Sequence, residues 1–169
     1  HGGGVFYGGP KAGGGNDSFE FAAGGRLDGV LEAGAGNDTV RGDNVAHGYL
    51  FVGGNIGRIN GSLKYRGKVG GAVSLEQAYD AARNCALNHL AIIKAALGDL
   101  DQVERIVKVL GYVNVAPGFD QMPKVVNGES DLLVQLWGER GQHSRAAVGV
   151  ASLSQDAPVE TEMIVQIKN

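Results

Sequence analysis

The chain has 169 residues, 43% hydrophobic and 20% charged, ordinary globular proportions that exclude a polypeptide disordered throughout. Cys85 is the single cysteine, which excludes an internal disulfide framework and an all-cysteine zinc site. The net charge of −3 lies wholly in residues 1–46, with 3 basic and 6 acidic residues, because residues 47–169 carry 12 of each; such a balanced body lacks the basic footprint that holds nucleic acid.

Residues 1–46 form a glycine-rich segment holding 14 of the 29 glycines. Within it Ala12-Gly13-Gly14-Gly15-Asn16-Asp17-Ser18-Phe19 is echoed by Ala33-Gly34-Ala35-Gly36-Asn37-Asp38-Thr39-Val40, with a decayed copy around Asp28 and Val30. The pattern resembles the repeats-in-toxin nonapeptide, which implies Asp17 and Asp38 as weak calcium candidates, with Phe19 and Val40 pointing inward. The spacing is longer than nine residues, and calcium needs six to eight oxygens, so a mobile leader stands as the alternative.

From His47 the pattern alternates. Leu50 and Val52 share one face before a break expected at Gly53-Gly54, and Asn60-Gly61 predicts a hairpin turn into a strand over 62–66. Ser74 and Gln77 form a capping box for a helix with Tyr79, Ala82, Ala86, Leu90, Ile93 and Leu97 at helical spacing, closed by Gly98. A strand over 103–115 follows, then a helix over 123–137 with proline in its first turn and Gly138 at its end, and strands over 145–153 and 159–167. The order is β-β-α-β-α-β-β, an α+β mixed sheet with two helices on one face. The last strand has a second face of mixed character (Glu160, Glu162, Ile164, Gln166), as expected where subunits pack around an axis.

Several motifs fail on inspection. Gly67-Lys68 has neither the upstream glycine nor the following hydroxyl of a P-loop. Gly128-Glu129-Ser130-Asp131-Leu132 misses the last glycine of a nucleophile elbow and falls inside a helix. Cys85 and His89 are two potential ligands one helical turn apart, which do not make a metal site; they read as a buried thiol beside a boundary histidine. His143 reads as an exposed loop histidine or an acid–base group. Arg145 opens a strand of small apolar residues, where a guanidinium needs a partner. It fits either a surface ion pair or a fork that grips a carboxylate, with Glu160 on the expected partner strand near enough to orient water.

Ser144-Arg145-Ala146-Ala147-Val148-Gly149-Val150-Ala151-Ser152-Leu153, followed after five residues by Val159-Glu160, resembles the C-terminal signature of the Rid/YjgF family, also called endoribonuclease L-PSP proteins. Residues 74–98, Gly111-Tyr112-Val113-Asn114 and 123–134 resemble its YjgF-like endoribonuclease subgroup, so the resemblance covers residues 47–169. It implies a chorismate-mutase-like fold, a homotrimer with a cleft between subunits, and hydrolysis of carboxylate-bearing imines or enamines to 2-keto acids and ammonia without a cofactor. In that reading Arg145 binds the substrate carboxylate, the backbone at Ala147 contacts the imine nitrogen, and Glu160 positions water. Gly53 and Asn55 stand where the family often has serine and glutamine, and Ala147 where many deaminating members have cysteine. A noncatalytic carboxylate-binding trimer is the alternative; ribonuclease activity finds no support in the charge balance. No apolar run approaches the ~18 residues needed to cross a bilayer, no signal-like segment opens the chain, and a cytoplasmic location is the expectation.

Overall fold

A computed structural model describes residues 5–7, 18–21, 26–28, 39–42 and 48–168. The chain divides into two compact units, His1–Leu50 and Phe51–Asn169. In the first, β1 (Val5–Tyr7) pairs in parallel with β3 (Arg26–Asp28), and β2 (Ser18–Phe21) with β4 (Thr39–Gly42), which sets Phe19 across from Val40. Asp17 and Asp38, the calcium candidates, lie outside the described residues.

The second unit is built on β5 (Tyr49–Asn55), β8 (Val103–Asn114), β9 (Ser144–Val150) and β10 (Val159–Ile167), in the sheet order β5-β10-β8-β9. Helices α1 (Leu75–Leu97) and α2 (Met122–Trp137) cover one face. The capping box of Ser74 and Gln77 starts α1, and Gly98, at a positive φ of 82°, ends it. Along β10 burial alternates without a break: Val159, Thr161, Met163, Val165 and Ile167 are buried under the helices, while Glu160, Glu162, Ile164 and Gln166 lie on the uncovered face.

The sheet departs from the expected pairing in three places. β5 runs through Gly53-Gly54 instead of breaking there, because glycine weakens a strand without forbidding extended backbone. Asn60-Gly61 does make a turn with both φ angles positive, but the hairpin is a separate two-stranded piece, β6 (Arg58–Ile59) and β7 (Ser62–Leu63). Finally, β9 and β10 are not neighbours. Strand β8 lies between them, parallel to β9 and antiparallel to β10.

Of the expected helix stripe Ala82, Ala86 and Ile93 are fully buried, but the rest of the buried face is supplied by other positions. Ala78, Ala82, Cys85, His89 and Ile93 are fully buried, whereas Tyr79, Leu90 and Leu97 are half-exposed. Small side chains on α1 admit the sheet on one side and α2 on the other. Gly128 completes this approach, since a Cβ there would overlap the backbone carbonyl of Tyr79.

Candidate functional site

Two arrangements bring chemistry-bearing side chains together, and both depend on the close packing at Gly128. The residues flanking it on α2 face two ways. Glu129 turns inward to α1, and Asn127 and Ser130 reach the edge strand β9.

The inward pair is fully enclosed. His89 Nδ1 lies 2.9 Å from Glu129 Oε1, and both side chains have no exposed surface. His89 is therefore a core residue and not a boundary one. Its Nε2 lies 3.3 Å from the Gly53 carbonyl, which can only accept, so Nε2 carries hydrogen. Beside it the Cys85 thiol is pushed far up, first by burial and then by the Glu129 charge, so it is held as an unreactive SH. Among the described residues no three His, Cys, Asp or Glu side chains converge as metal ligands.

The outward cluster is half-open. Arg145 is in register with Val109, one of the residues buried beneath the helices, and its side chain lies on that same face at the sheet edge. Its Nη1 donates to Asn127 Oδ1 (2.8 Å) and to Ser130 Oγ (3.0 Å). Both hydrogens of Nη1 are thereby used, and three of the five guanidinium N–H groups, on Nη2 and Nε, face no acceptor among the described residues. No carboxylate among those residues pairs with Arg145 either. Among the described residues, then, Arg145 is held by neutral partners and not by a surface ion pair.

Ser130 also lies 3.0 Å from His143 Nε2, and His143 Nδ1 is 2.7 Å from the Gly141 carbonyl. The carbonyl fixes the tautomer: Nδ1 donates, so in the neutral ring Nε2 accepts the Ser130 hydroxyl proton. Burial holds the ring below its ordinary range, and the Arg145 charge adds to this against the Gly141 carbonyl and Glu129. His143 is therefore neither exposed nor idle.

The other expected site residues are dispersed. Ala147 pairs with Gly111 and shares the face of Arg145. The Asn55 side chain is spent locally, its Oδ1 accepting from the Gly57 backbone at 2.8 Å. Glu160 lies on the opposite face, where a Cβ on Gly54 would meet its carboxylate. Burial, then the Glu162 charge, raises its carboxyl above the ordinary range. The loop leading to it is pinned by Asn114, whose Nδ2 donates to Asp156 Oδ1 and the Ala157 carbonyl at 3.2 Å each. A shallow hollow of about 190 Å³ also opens on the uncovered face, lined by Phe51, Gly53, Lys108, Leu110, Glu162 and Ile164, away from Arg145. Sequence reasoning missed Asn127 and set Ser130 aside with the failed elbow motif; a helix-interior serine within reach of a strand-edge arginine leaves no spacing signal of that contact.

Comparison with known proteins agrees with the topology. A family model described as "YjgF/chorismate mutase-like, putative endoribonuclease" matches residues 18–157. Protein TCP17 of Trypanosoma cruzi is 43% identical over 104 residues, 61% of this chain and 65% of its own, so the match spans just under two thirds of that relative. The crystal structure of Atu1372 from Agrobacterium tumefaciens, whose function is unknown, is 42% identical with a TM-score of 0.71, covering 73% of this chain and 78% of its own. A Shewanella oneidensis MR-1 structure described as a putative endoribonuclease is 28% identical with a TM-score of 0.70, covering 72% and 81%.

Proposed function

The chain belongs to the YjgF/chorismate mutase-like family, and from that premise we propose that it is a trimeric hydrolase of carboxylate-bearing imines and enamines, its cleft formed between subunits. The observation that carries the reading is the state of Arg145, held by the neutral Asn127 and Ser130 with three N–H groups turned to no acceptor among the described residues. A planar carboxylate accepts two parallel hydrogen bonds from such a fork. With the acid end held there, the imine carbon two bonds away is confined near the backbone of Ala147, and orientation of a reactive substrate does most of the work.

Water adds to that carbon as the C=N electron pair moves to nitrogen, and the carbinolamine expels ammonia to leave a 2-keto acid. Glu160 is the group assigned to the water. Its raised carboxyl gives it the basicity to take a proton and return it to the leaving nitrogen. Because Glu160 and Arg145 lie on opposite faces of one sheet, the reading requires Arg145 of one copy to face Glu160 of the next. The uncovered face supports such packing: Phe51 is 75% exposed and Val148 40% exposed, beside the half-exposed Leu110 and Ile164.

The test is a coupled assay that generates 2-aminoacrylate. Keto acid release is expected to outpace buffer and to fall at least about 100-fold in Arg145→Ala, the loss of a positioned charged contact. Release no faster than buffer ends the enzymatic reading. A binding-only trimer is the second reading, favoured by the bare Gly53 and Ala147 where the family often carries serine and cysteine. It predicts carboxylate binding by calorimetry without turnover. The balanced net charge of residues 47–169 does not favour tracking of RNA phosphates.

A further inference from the structure

Beyond helping to hold Arg145, Ser130 is linked to His143 and the Gly141 carbonyl in a chain that the imine chemistry does not use. A serine inside a helix commonly returns its hydroxyl to the carbonyl one turn earlier. Ser130 instead makes its hydrogen bonds across the structure, to His143 Nε2 and Arg145 Nη1, both at 3.0 Å. The far nitrogen of the ring is held by a main-chain oxygen at 2.7 Å, so the acceptor faces the serine. These are the three relations of an activated nucleophile: a hydroxyl on a base, the base in one tautomer, and a fixed group that orients it. The guanidinium adds a fourth. Its Nη1 lies 3.0 Å from Oγ, which puts the guanidinium charge beside the place where attack by Oγ would form an oxyanion.

We infer that Ser130 is a nucleophile with His143 as its general base, and that the protein has a second, acyl-transfer activity toward small esters at the α2–β9 edge, with Arg145 stabilising the oxyanion. In the first step Oγ bonds to the ester carbonyl carbon while its proton passes to His143 Nε2, and the C=O electron pair moves onto oxygen beside the guanidinium. The C=O bond re-forms as the C–O bond to the alcohol breaks, and the departing oxygen takes the proton from Nε2. Water then attacks the acyl-serine with His143 again accepting its proton; the acid leaves and the Ser130 hydroxyl is restored. Ester and water become acid and alcohol with no other reactant. This inference stands apart from imine hydrolysis, which needs neither Oγ as a nucleophile nor a covalent intermediate.

Diisopropyl fluorophosphate on the native full-length protein is the direct test, since Oγ displaces fluoride and the adduct stays on the chain. Peptide mass spectrometry is expected to find the adduct on Ser130, formed at least tenfold faster at pH 7.5 than at pH 5 and absent in urea. p-Nitrophenyl acetate is expected to give a burst of nitrophenolate lost in Ser130→Ala. His143→Gln, a second variant that keeps a polar side chain at that position, is expected to slow labelling at least tenfold with circular dichroism unchanged. A native protein that takes no label on Ser130, or takes it equally fast in urea, overturns the inference. The 2-aminoacrylate assay is read separately, so failure of either activity leaves the other measurable.

Discussion

Arg145 and Glu160 point away from opposite faces of one sheet. Arg145 is in register with Val109 and Glu160 with Tyr112 across the intervening β8, so two strand spacings and three residue rises separate their Cα atoms, about 14 Å. No side-chain rotation joins them through the sheet. If they serve one substrate, they come from different subunits. Arg145→Ala and Glu160→Ala are each expected to be inactive in the 2-aminoacrylate assay, whereas equal amounts co-refolded are expected to recover about a quarter of wild-type activity, the share of interfaces pairing two intact residues in a cyclic assembly. No recovery from mixed oligomers of verified composition would separate the two residues functionally.

Gly128 is expected to be intolerant of any side chain. The clash of an added Cβ is with the Tyr79 backbone carbonyl, which cannot rotate away, so α1 and α2 must separate. Gly128→Ala is expected to cost about 2–3 kcal/mol in urea denaturation, in the range of overpacked cores. Because Asn127 and Ser130 flank it, the same change is expected to weaken carboxylate binding at Arg145.

The enclosed His89–Glu129 pair predicts an asymmetry between two substitutions at one position. Glu129→Leu leaves a buried imidazole without its partner and is expected to cost about 3–5 kcal/mol. Glu129→Gln keeps a polar side chain that can hydrogen-bond His89 Nδ1 and is expected to cost about 1 kcal/mol. Equal losses in the two urea midpoints would show that a hydrogen bond to His89 at this position contributes nothing.

His143 makes stability depend on pH with a definite sign. In the unfolded chain its ring protonates near the ordinary value of 6.5; in the fold, burial holds it lower. The folded state therefore binds fewer protons below that value, so the associated stability is intact above it and declines as pH falls through the window beneath it. The wild-type urea midpoint is expected to drop from pH 7.5 to pH 5.5 by more than that of His143→Gln. An identical drop in both would remove His143 from the account.

Local signals were readable wherever one segment determined its own conformation. The Ser74 capping box, the Gly98 and Gly138 stops and the bounds of β10 needed only neighbouring residues. The Arg145 and Glu160 string stood out only through its resemblance to a family signature; its spacing alone fitted a surface ion pair equally. Pairing was not legible: the turn at Asn60-Gly61 closes only β6 and β7, and β10 passes over β9 to join β8, a choice governed by which faces can be buried together.

The amino-acid sequence by itself determined the order of elements in residues 47–169, the alternation that buries one face of β10, and an arginine placed where a cation needs a partner. Only the tertiary structure decided what surrounds that arginine. Helix α2 packs against α1 without a side chain at Gly128, turning Ser130 and Asn127 toward β9 and Glu129 toward His89. Residues 13, 18 and 40 positions apart meet there, and such meetings are set by how whole faces pack, not by spacing along the chain.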